Sequence, residues 1–366
     1  MKKKIIFFYP SLENGGVTKN LLNLLYGCRK KNIELHLLSS SNPIKKNIFC
    51  KYFFHQIISK HNLFFLPGRF NSAINAMFTL HQLLKIEKDN NIVVHSMQSN
   101  IAAIIMCLLH KKKIIIRNSE DAVYSTIYSE NLFFSFIVFL LKILFYNFAD
   151  KAITNSIGSK KSLEYFFLNK DKIKTIYNPY LNQLIKKKFK KKNIIINIAR
   201  LRKQKDHETL IRAFKIFNEY YKDYKLMIIG HGNLENKLKR LVLSLNLKNK
   251  VIFTGWVKNP NSYLKKAKLF VLSSLYEGLG NVLIDAINYD TPCIATNCRS
   301  GPNEILKDGK GGYLVPVKDY IALSQSMIMA IKKYQSSRKK NNFAKKYLKR
   351  FNMKNNVNLY FNFLLN

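Results

Sequence analysis

The sequence predicts an α/β protein with two doubly wound, Rossmann-like domains that face each other across a cleft. Short apolar runs alternate with helix-length patterns along the chain, which is typical of a parallel sheet covered by helices on both faces. This alternation pauses at a lysine-rich stretch near mid-chain and then restarts. A length of 366 residues also suits about two domains of ordinary size.

The first half of the chain contains the elements of one such domain. Strands are predicted at residues 5–9, 33–38, 92–95, 114–117, 152–155 and 173–177. Helices are predicted at residues 17–30, 72–88, 100–110 and 132–148. The lysines and apolar residues at the N-terminus are similar to the start of a signal peptide, but the apolar run ends at Pro10. Because that run is too short for an export segment, we expect a first strand there.

The most apolar stretch runs from residue 132 to residue 148 and is interrupted by Lys142 and Asn147. A membrane-spanning helix needs about 20 apolar residues without a central charge. We therefore expect a helix packed beneath the sheet. An amphipathic helix that lies on a membrane surface is the alternative.

The second half repeats the pattern. After Pro179, a lysine run at residues 186–192 predicts an exposed hinge, with nucleic-acid binding as the alternative for that run. Strands are predicted at residues 194–198, 225–229, 251–253, 269–272 and 293–296. Helices are predicted at residues 207–221, 233–245, 281–289 and 320–333. The expected domains are residues 1–180 and 193–345, joined by a basic linker at 181–192, with a C-terminal helix at 346–366 that returns to the first domain.

The composition indicates anionic partners and a reduced compartment. Lys and Arg number 62 against 21 Asp and Glu, a formal net charge of +41. Such a charge favours nucleic acid, acidic lipid or sugar phosphates, although a compositional bias of the whole proteome would also produce it. The basic residues are spread along the chain without a recognisable nucleic-acid-binding module, so no nucleic-acid partner is expected. The 5 cysteines lack metal-ligand spacing and predict a cytoplasmic protein without structural disulfides or zinc.

Residues 273–285 predict a binding site for a sugar carried on a phosphate. Glu277 precedes a glycine-broken loop, Asn281 and Val282 open an apolar helix, and Asp285 follows. The exposed amides of a helix N-terminus suit a phosphate, and a carboxylate just before them suits sugar hydroxyls. This stretch resembles the nucleotide-sugar loop of retaining glycosyltransferase family 4, whose pattern is two glutamates separated by seven residues. Here the second position is Asp285, a shorter acid.

The resemblance covers nearly the whole chain and implies the two-domain fold called GT-B. It implies transfer of a sugar from a nucleotide-diphosphate sugar, with a UDP-sugar favoured, to a hydroxyl of a lipid-linked or surface-polysaccharide glycan, with retained anomeric configuration. It also implies that no metal or other cofactor is needed. Nucleotide-sugar epimerases and phosphorylases share the fold, and a non-catalytic relative or a basic nucleic-acid-binding protein are the remaining alternatives.

The resemblance assigns roles to three further groups in the second domain. Arg200 and Lys205 are similar to a pair that grips the donor diphosphate, where two cations would stabilise the departing charge. A solvated basic loop is the alternative for this pair. Gly230 and Gly232 resemble a loop near the nucleotide, and a plain turn capped by Asn233 is the alternative.

In the same domain, Glu277 is expected to contact the donor sugar near the reacting centre, and the alternative is an acid placed there by the helix dipole. Gly280, Asn281 and Val282 are expected to present backbone amides to the phosphates. Asp285 matches the acid that holds the ribose hydroxyls. Because Asp is one methylene shorter than Glu, that contact is expected to be lost or bridged by water.

In the first domain, Gly15 and Gly16 lie between the first strand and first helix and resemble the family's glycine pair beside the donor phosphates and the acceptor. A tight turn alone would also explain them. Many relatives have a histidine after the strand at 114–117, where this chain has Asn118. Asn118 is expected to hydrogen-bond a sugar hydroxyl, and Glu120 to act as an acid or base. His95 is a further candidate, although a histidine near a strand end is more often structural.

These expectations define partners and a location. The partners are a nucleotide-sugar donor, a glycan or lipid-linked oligosaccharide acceptor, and an anionic membrane surface. The expected location is the cytoplasm, peripheral on the inner face of the cell membrane.

Overall fold

The computed structural model describes residues 3–12, 15–28, 33–44, 50–58, 68–87, 89, 91–187 and 189–366. Residues 29–30 and 88, at the ends of two predicted helices, and residue 188 of the lysine run lie outside the described residues. The chain divides into two compact units. Unit 1 comprises Met1–Val123, Phe133–Asn182 and Phe351–Asn366, and unit 2 comprises Tyr124–Leu132 and Gln183–Arg350.

Unit 1 is built on a sheet of seven parallel strands. The strands are β1 Lys3–Phe8, β2 Ile33–Ser39, β3 Lys51–Gln56, β4 Ile92–Ser96, β5 Lys113–Asn118, β6 Lys151–Thr154 and β7 Ile173–Thr175. Their order across the sheet is β3-β2-β1-β4-β5-β6-β7. The order reverses at β1 and β4, as in doubly wound sheets, whose ligands bind beyond the carboxyl ends of the strands.

Helices cover both faces of this sheet. The α-helices of the first 182 residues are α1 Gly16–Gly27, α2 Gly68–Ile86, α3 Asn100–Leu109, α4 Tyr124–Ile127, α5 Leu132–Phe145 and α6 Ile157–Leu163. The last helix of the chain, α14 Met353–Leu365, belongs to unit 1 and packs against α1. Ile6 and Phe8 of β1 join the core under α2 and α3, whereas Ile5 and Phe7 join the core under α1 and α14. Alternate residues of a strand point to opposite faces, so residues 5–8 of β1 are all apolar because both faces of the strand are covered there.

Unit 2 repeats the design with six parallel strands. They are β8 Lys192–Ile198, β9 Lys225–Ile229, β10 Val251–Phe253, β11 Ala267–Leu272, β12 Cys293–Thr296 and β13 Tyr313–Val315. Their order is β10-β9-β8-β11-β12-β13, with every pairing parallel. The helices are α7 His207–Tyr220, α8 Glu235–Ser244, α9 Asn261–Leu264, α10 Asn281–Asn288, α11 Pro302–Ile305, α12 Tyr320–Lys332 and α13 Tyr334–Lys346. The predicted fold class, two doubly wound α/β domains, is confirmed.

The prediction missed two of the four edge strands, β3 and β13, whereas the edge strands β7 and β10 were predicted. Strand β3 alternates exposed and half-buried residues and pairs only with β2 among the described strands. Strand β13 has three residues and also lies at an edge. An edge strand lacks the continuous apolar run of a strand that is buried on both faces, so its sequence signal is weak.

Helix α5 differs from the expectation of a helix packed beneath the sheet. None of its residues is buried. Only Phe139 and Phe145 pack, partly buried, against the core of unit 1. The opposite face exposes large apolar side chains at 48–71% of their surface: Leu132, Phe133, Phe136, Leu140, Ile143 and Leu144. Among the residues that the structure describes, no helix is long and apolar enough to cross a membrane.

The predicted linker contains one lysine that is not a solvated hinge residue. Lys191 precedes β8, and its Nζ donates to the carbonyl of Tyr289 at 2.9 Å and to Thr291 Oγ1 at 2.8 Å. Burial is the largest influence on this ammonium group and lowers its pKa to about 8. Lys191 thus ties the start of β8 to the turn that follows α10.

Candidate active site

The candidate site of unit 2 lies in the loops that follow the strands of its sheet. Residues 199–206 follow β8, residues 230–234 follow β9, and residues 273–280 follow β11. Since the strands are parallel, these loops share the carboxyl edge of the sheet. This is the edge at which doubly wound sheets bind their ligands.

Glu277 is a nearly buried acid at this edge with several hydrogen-bond partners. Its side chain is 9% exposed, and its Oε1 accepts hydrogen bonds from Lys205 Nζ at 2.5 Å and from Ser274 Oγ at 2.7 Å. Its backbone carbonyl accepts a bond from Ser300 Oγ at 2.6 Å. The structure therefore brings together Lys205 and Glu277, two residues that the sequence predicted separately.

The loops after β8 and β11 are joined by further hydrogen bonds. Gln204 Nε2 donates to the carbonyl of Tyr276 at 2.9 Å, and the amide of Leu275 donates to the carbonyl of Gln204 at 2.8 Å. Ser273 Oγ donates to the carbonyl of Lys205 at 2.8 Å. Because these hydrogen bonds fix the two loops to each other, the Lys205–Glu277 pair belongs to a network of contacts and is not an isolated surface ion pair.

Helix α10 begins immediately after the loop that follows β11. Gly280 is its N-cap residue, with φ 81° in the left-handed region, and no side chain caps the helix. The first turn contains no acidic residue, so the helix dipole at this end is not neutralised from within its own first turn. Uncapped amides at a helix N-terminus are suited to an anion. Asn281 and Val282 are half-buried at this start, as the motif predicted.

Asp285 lies in α10, beyond that first turn, and is half-buried. Its charge acts on Tyr289: burial first, and then the negative charge of Asp285, raise the pKa of the Tyr289 hydroxyl. Asp285 therefore lies within electrostatic reach of Tyr289, the C-cap residue of α10.

Arg200 and Asp206 lie at opposite ends of the loop after β8. Arg200 is half-buried. Asp206 adopts a left-handed conformation with φ 43° and caps α7 by accepting a hydrogen bond from the amide of Thr209. A left-handed conformation favours glycine, although Asp tolerates it and can add a cap. Burial raises the pKa of the Asp206 carboxyl, against the opposing effect of its bonds from Thr209.

Gly230 and Gly232 are required by close backbone packing. Gly230 has φ 143°, and a Cβ there would lie 1.9 Å from the carbonyl oxygen of Ala199. A Cβ at Gly232 would lie 2.4 Å from the carbonyl oxygen of Leu201. The alternative of an Asn cap is wrong, since the N-cap of α8 is Leu234. The two glycines allow the backbone of the loop after β9 to pack directly against the loop after β8.

The candidate residues of unit 1 also follow strands of its sheet. Gly15 and Gly16 are exposed at the start of α1, and Gly15 has an extended backbone with φ 172°. Such a conformation is open to any residue, so the turn does not itself require glycine at 15. Asn118 ends β5 and is buried, and its Nδ2 donates to the carbonyl of Glu120, which is exposed.

His95 is a core residue of unit 1. It is fully buried, with Nδ1 2.9 Å from the carbonyl of Ile115 and Nε2 2.8 Å from the hydroxyl of Tyr360 in α14. Burial, and next the charge of Arg117, lower the pKa of His95 to about 3. These contacts support the structural alternative for this histidine.

Sequence reasoning missed two groups in unit 2. The first is Ser274, whose hydroxyl reaches the Glu277 carboxylate. The second is the segment Tyr124–Leu132. There the Tyr128 ring stacks on that of Tyr276 with centroids 6.3 Å apart, and the Ser129 carbonyl accepts a bond from Lys203 at 3.0 Å. The segment is far from these partners in sequence, so no local pattern could have revealed the contact.

The single tryptophan of the chain is a surface residue. Trp256, in the loop after β10, is 56% exposed, so its ring is not core packing. Within the described part of the chain, no group of three or more His, Cys, Asp and Glu is placed to hold a metal ion.

Two family models match the two halves of the chain. Residues 14–180 match the family model described as Glycosyltransferase Family 4, and residues 182–347 match the one described as Glycosyl transferases group 1. A relative from Campylobacter jejuni is 30% identical over 341 residues, which cover 89% of this chain and 89% of the relative. Its name is N-acetylgalactosamine-N,N'-diacetylbacillosaminyl-diphospho-undecaprenol 4-alpha-N-acetylgalactosaminyltransferase.

Two further comparisons extend the likeness. An uncharacterized glycosyltransferase of Methanocaldococcus jannaschii is 35% identical over 247 residues, which span 63% of this chain and 61% of that protein's length. The crystal structure of Anabaena Alr3699/HepE in complex with UDP-glucose superposes with a TM-score of 0.75 at 16% identity, covering 99% of both chains. The latter likeness shows a shared fold. Together with the two family matches and the Campylobacter relative, it establishes that this chain belongs to the group 1 glycosyltransferases of family 4 and has the GT-B fold.

Proposed function

We propose that this glycosyltransferase moves a sugar from a nucleotide-diphosphate sugar, with a UDP-sugar favoured, to a hydroxyl of a lipid-linked or surface-polysaccharide glycan. The observation that carries the donor side is the Glu277 carboxylate, held beside the uncapped N-terminus of α10. A carboxylate that precedes a helix N-terminus without a side-chain cap suits a sugar next to a phosphate. The UDP-glucose in the Anabaena structure and the undecaprenol-linked acceptor in the Campylobacter relative's name are consistent with this proposal.

The proposed roles in unit 2 follow the chemistry of the leaving group. The amides of Gly280, Asn281 and Val282 bind the diphosphate, whose charge grows as the glycosidic bond breaks. Arg200 and Lys205 are the cations that stabilise this growing charge more strongly than the ground state, which is the requirement for catalysis. No metal ion enters the proposed mechanism.

Glu277 is proposed to bind the hydroxyls of the donor sugar and to stabilise the positive charge that develops on the ring. Retention of configuration follows if the leaving phosphate takes the proton of the acceptor hydroxyl on the same face of the sugar. Asp285 is proposed to reach the ribose through a water, since its side chain is one methylene shorter than glutamate. Gly230 and Gly232 shape the neighbouring loop, and their contact with the nucleotide is through the backbone.

The proposed roles in unit 1 concern the acceptor. Gly15 and Gly16 present the N-terminus of α1, whose exposed amides suit an anionic or polar group. Because Asn118 Nδ2 already donates to the carbonyl of Glu120, Oδ1 is the atom proposed to accept a hydrogen bond from a sugar hydroxyl. Glu120 is exposed and is proposed as an acid or base for the acceptor.

We also propose a peripheral location on the inner face of the cell membrane. Helix α5 exposes a row of phenylalanine, leucine and isoleucine side chains, and the chain carries a net charge of +41. An apolar helix face combined with positive charge is suited to an anionic bilayer. Two copies of so basic a chain repel each other, which disfavours a second copy as the cover for this face. A nucleic-acid partner is not proposed.

The donor proposal is tested by thermal unfolding with UDP-, GDP-, ADP- and CMP-sugars. A ligand that binds only the folded state at about 100 times its Kd adds about 2.7 kcal/mol of stability. We expect a rise in Tm with the UDP-sugars and a much smaller rise for Glu277→Ala. Glu219→Ala, which removes an exposed acid of α7, is the matched control and should respond like the wild type. A wild-type protein with no response to any nucleotide sugar would contradict the proposal.

A further inference from the structure

In the part of the chain that the structure describes, the hydrogen bonds to the carboxylate of Glu277 all fall on one of its two oxygens. Oε1 accepts from Lys205 Nζ at 2.5 Å and from Ser274 Oγ at 2.7 Å. Among the described residues, Oε2 accepts no hydrogen bond. A carboxylate oxygen can accept bonds in more than one direction, so a carboxylate held at one oxygen is fixed in orientation while the other stays available to a ligand.

Ser274 is itself held in place. It is fully buried directly after β11, and its backbone carbonyl accepts a hydrogen bond from Thr296 Oγ1 in β12 at 2.5 Å. Glu277 follows three residues later, so the serine hydroxyl reaches its carboxylate across a single turn of the loop. The position of Oε1 is therefore set by the sheet, through Ser274, and not only by the long side chain of Lys205.

Lys205 and Ser274, which both donate hydrogen bonds to Oε1, have different roles in the proposed reaction. Lys205 is proposed to bind the donor diphosphate, and an ammonium group that turns toward a phosphate weakens its bond to Glu277. Ser274 has no such competing role, and its side chain is fully buried. With the donor bound, Ser274 is the hydrogen-bond donor that remains on Oε1.

We propose that Ser274 is a positioning residue for sugar transfer, whose hydroxyl holds Oε1 of Glu277 so that Oε2 meets a hydroxyl of the donor sugar. This inference rests on the proposed function of Glu277. In this proposal the buried serine keeps the orientation of the Glu277 carboxylate fixed while Lys205 turns from Glu277 to the donor diphosphate. Loss of the hydroxyl should therefore weaken contacts to the sugar and leave contacts to the nucleotide unchanged.

The test compares binding of UDP with binding of the UDP-sugar that stabilises the wild type most, by calorimetry, together with kcat and KM for transfer. For Ser274→Ala we expect about a tenfold loss in UDP-sugar affinity or kcat/KM, the size expected for one hydrogen bond to a charged group. The affinity for UDP alone should stay within about twofold of the wild type. Ser274→Cys keeps a weak donor of similar size. Its UDP-sugar affinity and kcat/KM should lie between those of the wild type and those of Ser274→Ala.

Ser300→Ala is the matched control. It removes a hydroxyl that holds the backbone carbonyl of Glu277 and not the carboxylate. It should lower Tm without changing the ratio of UDP-sugar affinity to UDP affinity. An equal loss of UDP and UDP-sugar affinity in Ser274→Ala, or wild-type kcat/KM in that variant, would overturn the inference. Failure of the wild-type protein to bind any nucleotide sugar would instead overturn the proposed function on which it rests.

Discussion

At the scale of single residues, two buried histidines tie the stability of the fold to pH. His95 lies in the core of unit 1 and His207 at the start of α7 in unit 2. Burial is the main cause that lowers the pKa of each to about 3, aided by the charge of Arg117 for His95 and of Lys205 for His207. Both are therefore neutral in the folded protein at neutral pH.

This neutrality predicts a loss of stability in mild acid. Unfolding exposes His95 and returns its pKa to 6.5, so below that pH the unfolded chain binds a proton that the folded chain does not. The stability is complete above the unfolded pKa and falls as the pH decreases from 6.5 toward 3, by about 1.4 kcal/mol per pH unit for each such histidine. We expect urea unfolding to report this slope between about pH 6 and about pH 4.5.

The matched variant is His95→Gln, which removes the titrating group. It should be less stable than the wild type at neutral pH because the hydrogen bonds to Ile115 and Tyr360 are disturbed. Its stability should depend less steeply on pH, with a difference of about 1.4 kcal/mol per unit in this window. Equal slopes for the two proteins would show that His95 does not titrate on unfolding.

The same scale shows what the sequence could predict of the site. Glu277 and Lys205 were predicted because each occupies a recognisable loop after a strand. Their mutual ion pair was not, since the two residues are 72 positions apart and only the folded sheet brings the loops together. Ser274 was missed because a serine at the end of a strand gives no signal until its hydroxyl is seen to point at the carboxylate.

At the scale of elements, helix α5 shows where apolar periodicity stops being informative. The apolar content of residues 132–148 predicted a helix, which the structure contains at Leu132–Phe145. That content does not say how many neighbours will cover the helix. Phe139 and Phe145 meet the core, while the six large apolar side chains of the opposite face remain exposed. Strands β3 and β13 fail in the opposite sense, since too few of their residues are buried to produce a pattern.

The uncovered face of α5 predicts apolar contact with lipid. Leu140→Gln combined with Leu144→Gln should weaken binding to vesicles of anionic lipid by about tenfold or more, because each buried leucine contributes about 1.5–3 kcal/mol. The matched control is Leu243→Gln combined with Leu359→Gln, two leucines of similar exposure on α8 and α14. Flotation with liposomes measures both. Equal loss in the two double variants would contradict a specific role for α5.

At the scale of the whole molecule, the fold could be predicted because the same design occurs twice. In each unit the strand order turns back at the central pair, β1 with β4 and β8 with β11. That repeat places ligand-binding loops at the carboxyl edge of both sheets. Glu120, Glu277, Gly230 and Gly232 lie in those loops, whereas Asp285 lies in α10. The contact of the segment Tyr124–Leu132 with unit 2 could not be predicted, since it joins parts of the chain that share no local pattern.

The net charge of +41 is also a property of the whole molecule, and it should act on the membrane separately from α5. Electrostatic attraction to anionic lipid is screened over about 10 Å at 0.1 M salt and about 3 Å at 1 M, whereas burial of apolar side chains is not weakened in this way. We expect wild-type binding to anionic vesicles to fall steeply as salt rises from about 20 mM to about 500 mM, and binding to neutral vesicles to be weak throughout. The α5 double variant should keep the same dependence on salt from a lower starting affinity, because it changes no charge. Binding that ignores salt would contradict the electrostatic contribution, and no binding even at low salt would contradict the peripheral location itself.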